Sequence, residues 1–302
     1  SAAIINQIAN NFKGPWWADS VDFYKDLSPA GGNWSFEGGV LAPNGKVILV
    51  PFNSGNVGIY DPITGIYTVG PSHGEGPQAF SGGVLAPNGK IILVPFKSAN
   101  VGIYDPTDGP IGSYTPGIQH LEAFVSFRGG VLAPNGKIIF VPYNSINVGI
   151  YDPVTNIYAS GFTHGEGSSA FTGGVLAPNG KIIFVPHYSA NIGIYDPDTD
   201  HFSTGDTHNE TVPAFNGGVL SPDGKIILVP LYSAKIGIYD PITDIYTSGF
   251  QHNKTVFPYI GGTLAANGKI ILTPNRIANI GIYGNDYPLK YKNDVLAPYF
   301  NN

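Results

Sequence analysis

Six near-copies of one unit, each legible as four short strands, predict an all-β chain folded as a six-bladed β-propeller. Three observations carry this. Gly-Gly pairs begin at Gly38, Gly82, Gly129, Gly173, Gly217 and Gly261, spaced by 44, 47, 44, 44 and 44 residues. No segment shows a sustained helical period. The two ends of the chain complement each other: the start reads as a lone fourth strand, and the last copy runs out before its own.

Within a copy such as "FTGGVLAPNGKIIFVPHYSANIGIYDP" (171–197), the first strand is Gly-Gly-Val-Leu-Ala. A Pro-Asn-Gly turn follows, with Pro-Asp-Gly in the fifth copy and Ala-Asn-Gly in the sixth, and such turns close tight hairpins. The second strand is an unbroken β-branched run ending in Val-Pro, as expected when both faces of a sheet are covered. A Ser-x-Asn loop leads to the third strand, Val-Gly-Ile-Tyr-Asp, and an Asp-Pro-x-Thr turn leads to a fourth. That strand is centred on Tyr67, Tyr114, Tyr158, Phe202 or Tyr246. The constant Gly, Pro and Asn positions are those a blade needs for close approach and sharp turns.

Tyr67, Tyr158, Phe202 and Tyr246 each stand 15 residues before the next Gly-Gly, and the same count back from Gly38 reaches Phe23. Val21–Lys25 is therefore expected to complete the sixth blade and remove two open edges. One domain spans 1–302: an N-terminal tail (1–20), the closing strand (21–25), repeats starting near 36, 80, 127, 171, 215 and 259, and a C-terminal tail (288–302). From Phe36 to Tyr283 the pattern "G-V-x-x-x-P-x-G-K", then "V-P", then "N-x-x-x-x-x-D-P-x-T" resembles YVTN- and NHL-type propeller repeats. The resemblance implies the fold. Propellers of these kinds bind proteins, RNA or glycans, scaffold surfaces, or hydrolyse lactones, so it leaves function open.

Composition excludes several classes. A formal charge of −6 with no Lys/Arg cluster argues against nucleic-acid binding. No apolar run approaches 18 residues, so no membrane-spanning helix is expected. There is no Cys, hence no disulfide or thiolate chemistry. The opening Ser-Ala-Ala is compatible with a processed secretory chain, and sequons at Asn33, Asn209 and Asn253 add glycosylation sites consistent with an extracellular protein.

Function must lie where the copies differ. Nine residues before a Gly-Gly stand His73, His120, His164, His208 and His252, with Pro29 in the N-terminal copy. Two residues later come Glu75, Glu122, Glu166 and Glu210, with Lys254 in the fifth loop. On extended backbone such a His-x-Glu pair points one way and could supply two ligands of a divalent metal, the one cofactor the pattern allows. Neighbouring copies, roughly 10 Å apart, cannot share one ion. The alternatives are a locally hydrogen-bonded histidine multiplied by duplication, or a pH-responsive interface. The recurrent serines (Ser54, Ser98, Ser145, Ser189, Ser233) and asparagines (Asn56, Asn100, Asn147, Asn191, Asn279) are expected to cap their turns.

The residue before each Gly-Gly is the most diverse: Glu37, Ser81, Arg128, Thr172, Asn216 and Ile260. These are expected at the mouth of the central channel, where an axial ligand would bind. Asn53, Lys97, Asn144, Tyr188, Tyr232 and Arg276 vary in the second loops, while Phe36, Phe80, Phe127, Phe171, Phe215 and Tyr259 are expected to pack between blades. The inner strands offer no carboxylate beyond Glu37, which disfavours an enzyme. The expected function is a non-enzymatic, secreted or surface-exposed binding and scaffolding propeller with repeated weak sites for a multivalent ligand such as a glycan. Trp16, Trp17 and Trp34 offer stacking surfaces, or pack the N-terminal segment. The alternatives are a structural subunit of an extracellular or viral assembly joined to copies of itself through its tails, and a metal-dependent hydrolase using the channel mouth.

Overall fold

The protein is a six-bladed β-propeller, seen in a computed structural model that describes residues 34–122, 124–252, 257–275 and 280–284. The first blade shows the plan: Phe36–Leu41, Val47–Pro51, Asn56–Asp61 and Ile66–Ser72 pair antiparallel in chain order. Five blades have this four-stranded form. Among the described residues the sixth has three strands, Tyr259–Leu264, Ile270–Pro274 and Gly281–Tyr283. The strand expected to complete it, Val21–Lys25, lies outside the described residues, as do both tails.

The Pro-Asn-Gly turns close as the sequence demands: Gly45 stands at φ 82°, and its N–H donates to the Ala42 carbonyl. The turn asparagine then reaches sideways. Asn88 Nδ2 donates to the Pro153 carbonyl of the next blade at 2.9 Å, and Asn44, Asn135 and Asn179 make the same bond to Pro106, Pro197 and Pro241. The longer 47-residue spacing comes from the turn between the third and fourth strands of the second blade. There Asp105 pairs with Ser113, whereas Asp61 pairs with Ile66 in the first.

The core lies in the seams between blades. Second strands such as Ile182–Pro186 are buried throughout, because each faces a neighbouring sheet on both sides. Between the third and fourth blades, Ile139, Val141 and Val148 pack against Phe171, Ile182, Phe184 and Tyr195. The ring that opens each first strand lies over the glycine of the third: a Cβ on Gly193 would meet Phe171 at 3.0 Å. The aromatics before Gly-Gly are thus inter-blade packing residues, as expected.

At the axis the first glycine of each pair meets the next. A Cβ on Gly129 would lie 3.0 Å from the Gly173 Cα, and Gly129 also has φ 87°. Gly136 has a similar φ of 80° but open space around it. Gly129→Ala should therefore destabilise by roughly 2–4 kcal/mol in chemical denaturation, against about 1 kcal/mol for Gly136→Ala. Equal losses would mean that backbone conformation alone, and not crowding at the axis, fixes the inner glycines.

Candidate functional site

Two constellations occupy one face of the disc: the repeated histidine loops and the channel mouth they surround. In four of the loops the histidine is fixed at both nitrogens. The Glu75 backbone N–H donates to His73 Nδ1 at 3.1 Å, so Nε2 carries the proton and donates to the Ser54 carbonyl at 2.7 Å. His120, His164 and His208 repeat both bonds, with Ser98, Ser145 and Ser189 as acceptors, and His252 Nε2 meets the Ser233 carbonyl at 3.0 Å. Each ring also packs edge-on against an inter-blade aromatic, as His120 does on Phe127 at 5.6 Å.

The expectation that His and Glu point the same way is corrected here. The residue between them is left-handed in every copy: Gly74 at φ 70°, Leu121 at 57°, Gly165 at 72° and Asn209 at 53°. That turn sends the glutamate away from its histidine and onto the following blade. Glu75 accepts from Ser98 Oγ (3.0 Å), Asn100 Nδ2 (3.1 Å) and Tyr114 OH (3.0 Å). Glu122 is held likewise by Ser145 and Tyr158, with Ser160 added, and Glu210 by Ser233, Tyr246 and Ser248. Glu166 has only Ser189 and Asn191, because Phe202 brings no hydroxyl. Each of these four loops is a clasp: imidazole on one blade, carboxylate on the next. Among the described residues no three His, Asp or Glu side chains converge as a metal site. The recurrent serines cap their loops as expected, Ser54 Oγ donating to the Asn56 carbonyl at 2.7 Å.

At the mouth the structure joins two of the predicted residues. Arg128 Nη2 and Nε lie 2.9 and 3.1 Å from Glu37 Oε1, spanning from the third blade to the first above the small, buried Ser81. Thr172 Oγ1 donates to the Phe215 carbonyl, and Asn216 Nδ2 to the Ile260 carbonyl, so these two act as links to the next blade. Beside the ion pair runs an arc of rings that the sequence reading missed. Phe52, Phe96, Tyr143 and His187 each follow a Val-Pro and stand 5.6, 6.0 and 5.6 Å apart in turn. The signal was present: the residue after Val-Pro is aromatic in four successive copies. The Arg128 guanidinium sits 5.7 Å above the Tyr143 ring.

His187 differs from the clasp histidines. Its Nδ1–H donates to the Ser169 carbonyl at 3.2 Å. No fully buried side-chain nitrogen or oxygen among the described residues lacks a partner, so its unbonded Nε2 is the atom that meets solvent. Burial, with the Arg128 charge second, pushes this imidazole down to about 4, so it is a neutral acceptor near pH 7. Lys97 lies 5.3 Å over the exposed Phe124, Tyr188 stands half-exposed beside His187, and Asn144 accepts from Ser169 N–H. Asn209 is exposed, and so is Trp34. Asn33, Asn253, Lys254, Arg276, Asn279, Trp16 and Trp17 lie outside the described residues.

No protein-family model matches the chain, and no curated protein does. Solved structures do. A catalytically inactive virginiamycin B lyase from Staphylococcus aureus, crystallised with quinupristin, superposes with a TM-score of 0.70 at 16% identity, covering 86% of each chain. A streptogramin B lyase gives 0.69 at 17% identity, over 87% of this chain and 86% of the other. The extracellular domain of a putative one-component system from B. thetaiotaomicron gives 0.62 at 12% identity, over 83% of this chain and 33% of that one. At such identities the likeness is one of fold.

The clasp makes two measurable claims. Glu122→Ala, which strands a half-buried phenol and two hydroxyls, should cost roughly 1–2 kcal/mol in chemical denaturation, and more than Glu166→Ala. The reverse order would contradict the bridging role. Burial also holds His120, His164 and His208 below their ordinary value of 6.5. The unfolded chain then binds protons that the folded one refuses, so the contribution is complete above pH 6.5 and declines as pH falls below it. Melting temperature should drop between pH 8 and pH 5, whereas a flat profile would show that these rings do not stay neutral.

Proposed function

We propose that this chain is a non-catalytic binding propeller that seats an uncharged, ring-bearing ligand, a neutral glycan, on the channel mouth. The observation that carries the reading is the arc Phe52–Phe96–Tyr143–His187 beside the Glu37–Arg128 pair. Phe52 and His187 are buried, so the faces on offer are those of the half-buried Phe96 and Tyr143, and with a few fixed polar groups they suit a pyranose, whose C–H surface stacks while its hydroxyls bond. The two charges at the mouth neutralise each other, and His187 offers an acceptor without charge. An acidic sugar would bring a second carboxylate beside Glu37, and that repulsion sets the preference toward neutral ligands.

The same features count against catalysis. A base near 4 is poorly matched to proton abstraction at neutral pH, and Glu37 is occupied by Arg128. The exposed sequon Asn209 supports an extracellular setting. In a glycan array the purified protein should retain neutral oligosaccharides. Tyr143→Ala should then weaken the best of them about ten-fold, or ~1.4 kcal/mol, in calorimetric titration with the melting temperature little changed. Absence of binding to every neutral glycan, or binding indifferent to Tyr143→Ala, would remove the mouth as the site.

A further inference from the structure

The opposite face carries a pattern that neither the channel nor the clasps explain. At the turn between third and fourth strands, blades one, three and five each expose an apolar pair: Ile63 with Ile66, Val154 with Ile157, and Ile242 with Ile245. All six side chains are between 53% and 78% exposed. Blades two and four carry Thr107 with Ser113, and Asp198 with His201, at the same positions, the longer turn of blade two adding only the less exposed Ile111. The turn itself does not ask for an apolar residue. Its aspartate accepts from the following backbone N–H groups whichever residue comes between, Asp61 from Ile63 and Asp196 from Asp198 alike. That bond turns the intervening side chain outward, so isoleucine there is held in water at a cost the fold does not need.

Alternate blades of a six-fold disc stand about 120° apart. Three apolar knobs on one face, separated by polar blades, fit a partner with the same spacing, and the chain itself is such a partner. Turning a copy over about a twofold axis along the first blade's radius sets blade one on blade one, three on five and five on three. Every apolar pair then meets an apolar pair, as an isologous contact requires. Area agrees. The six side chains expose on the order of 700 Å², close to the roughly 800 Å² per partner of a stable interface. Four blades of this face also set a lysine near an aspartate: Lys90 lies 3.5 Å from Asp105, and Lys46, Lys137 and Lys225 stand near Asp61, Asp152 and Asp240. Aspartates outnumber lysines on the turns of this face, so the contact rests on its apolar pairs and not on charge.

We propose that this face is the interface of a back-to-back dimer of the chain, seated on Ile63, Val154 and Ile242 and leaving both channel mouths free. Sedimentation equilibrium of the full chain over micromolar to millimolar concentration tests it. The parent protein should show a monomer–dimer equilibrium. The triple variant Ile63→Thr, Val154→Asp, Ile242→Asp, which borrows residues the even blades already carry, should raise the dissociation constant at least a hundred-fold with the melting temperature unchanged. Tyr143→Ala should leave dimerisation untouched, so the result stands apart from glycan binding. A parent that stays monomeric throughout the range, or a dimer that survives the triple variant, overturns the proposal.

Discussion

A propeller blade cannot exist alone, and this is the constraint from which the rest follows. Its second and third strands are apolar on both faces, so half of its core belongs to each neighbour. Burying a side chain such as Phe184 or Ile182 stabilises by about 1.5–3 kcal/mol, and a seam holds around ten such residues. Seams therefore outweigh any single polar contact. What the polar contacts supply is angle. An apolar seam is tolerant of small rotations, whereas Glu75 on three donors and Asn88 on one carbonyl, at opposite faces, leave one setting of blade against blade.

The seam between the fifth and sixth blades shows how such contacts are lost. In the sequence Lys254 stands where the clasp has glutamate, and Ile277 where its serine receiver would be. On the other face Asp223 replaces the turn asparagine, and the sixth copy reads Gly284-Asn285 where the others have Asp-Pro. Both ends of the clasp have changed together, whereas at the turn only the donor is lost, since any residue there still carries a backbone carbonyl. Losing one partner strands a buried donor or acceptor, while losing both is close to neutral. At the clasp the pattern is that of paired replacement, while at the turn Asp223 accepts from Ser221 within its own turn.

Much of this was legible before any coordinates. The period gave six units, the Pro-Asn-Gly turns gave hairpins, and the β-branched second strands gave sheets covered on both sides. What stayed hidden had physical causes. The clasp depends on a left-handed residue between His and Glu, and the residues there, Gly, Leu, Gly and Asn, include a leucine that gives no such signal. Glu37 and Arg128 are 91 residues apart and skip a blade, so no local spacing could pair them. Phe52, Phe96 and Tyr143 sit where a strand ends, and an aromatic at a strand end reads as packing until neighbouring copies are set side by side.

Duplication also sorts the differences between copies by whether the scaffold absorbs them. Thr172 and Asn216 differ from each other, yet both spend their polar groups on the backbone of the next blade, so their variation is absorbed by the fold. His187 does not: it occupies a position where Phe, Phe, Tyr and Leu also fit, and it leaves one ring nitrogen toward solvent. Arg128 and Glu37 satisfy each other, but two charges set over a water-filled mouth gain little from pairing there and contribute no seam. Differences that the fold neither uses nor requires persist on this face within one cluster, around Arg128. Site chemistry on a repeated scaffold is to be sought there, in the residues whose polar atoms the repeat has left over.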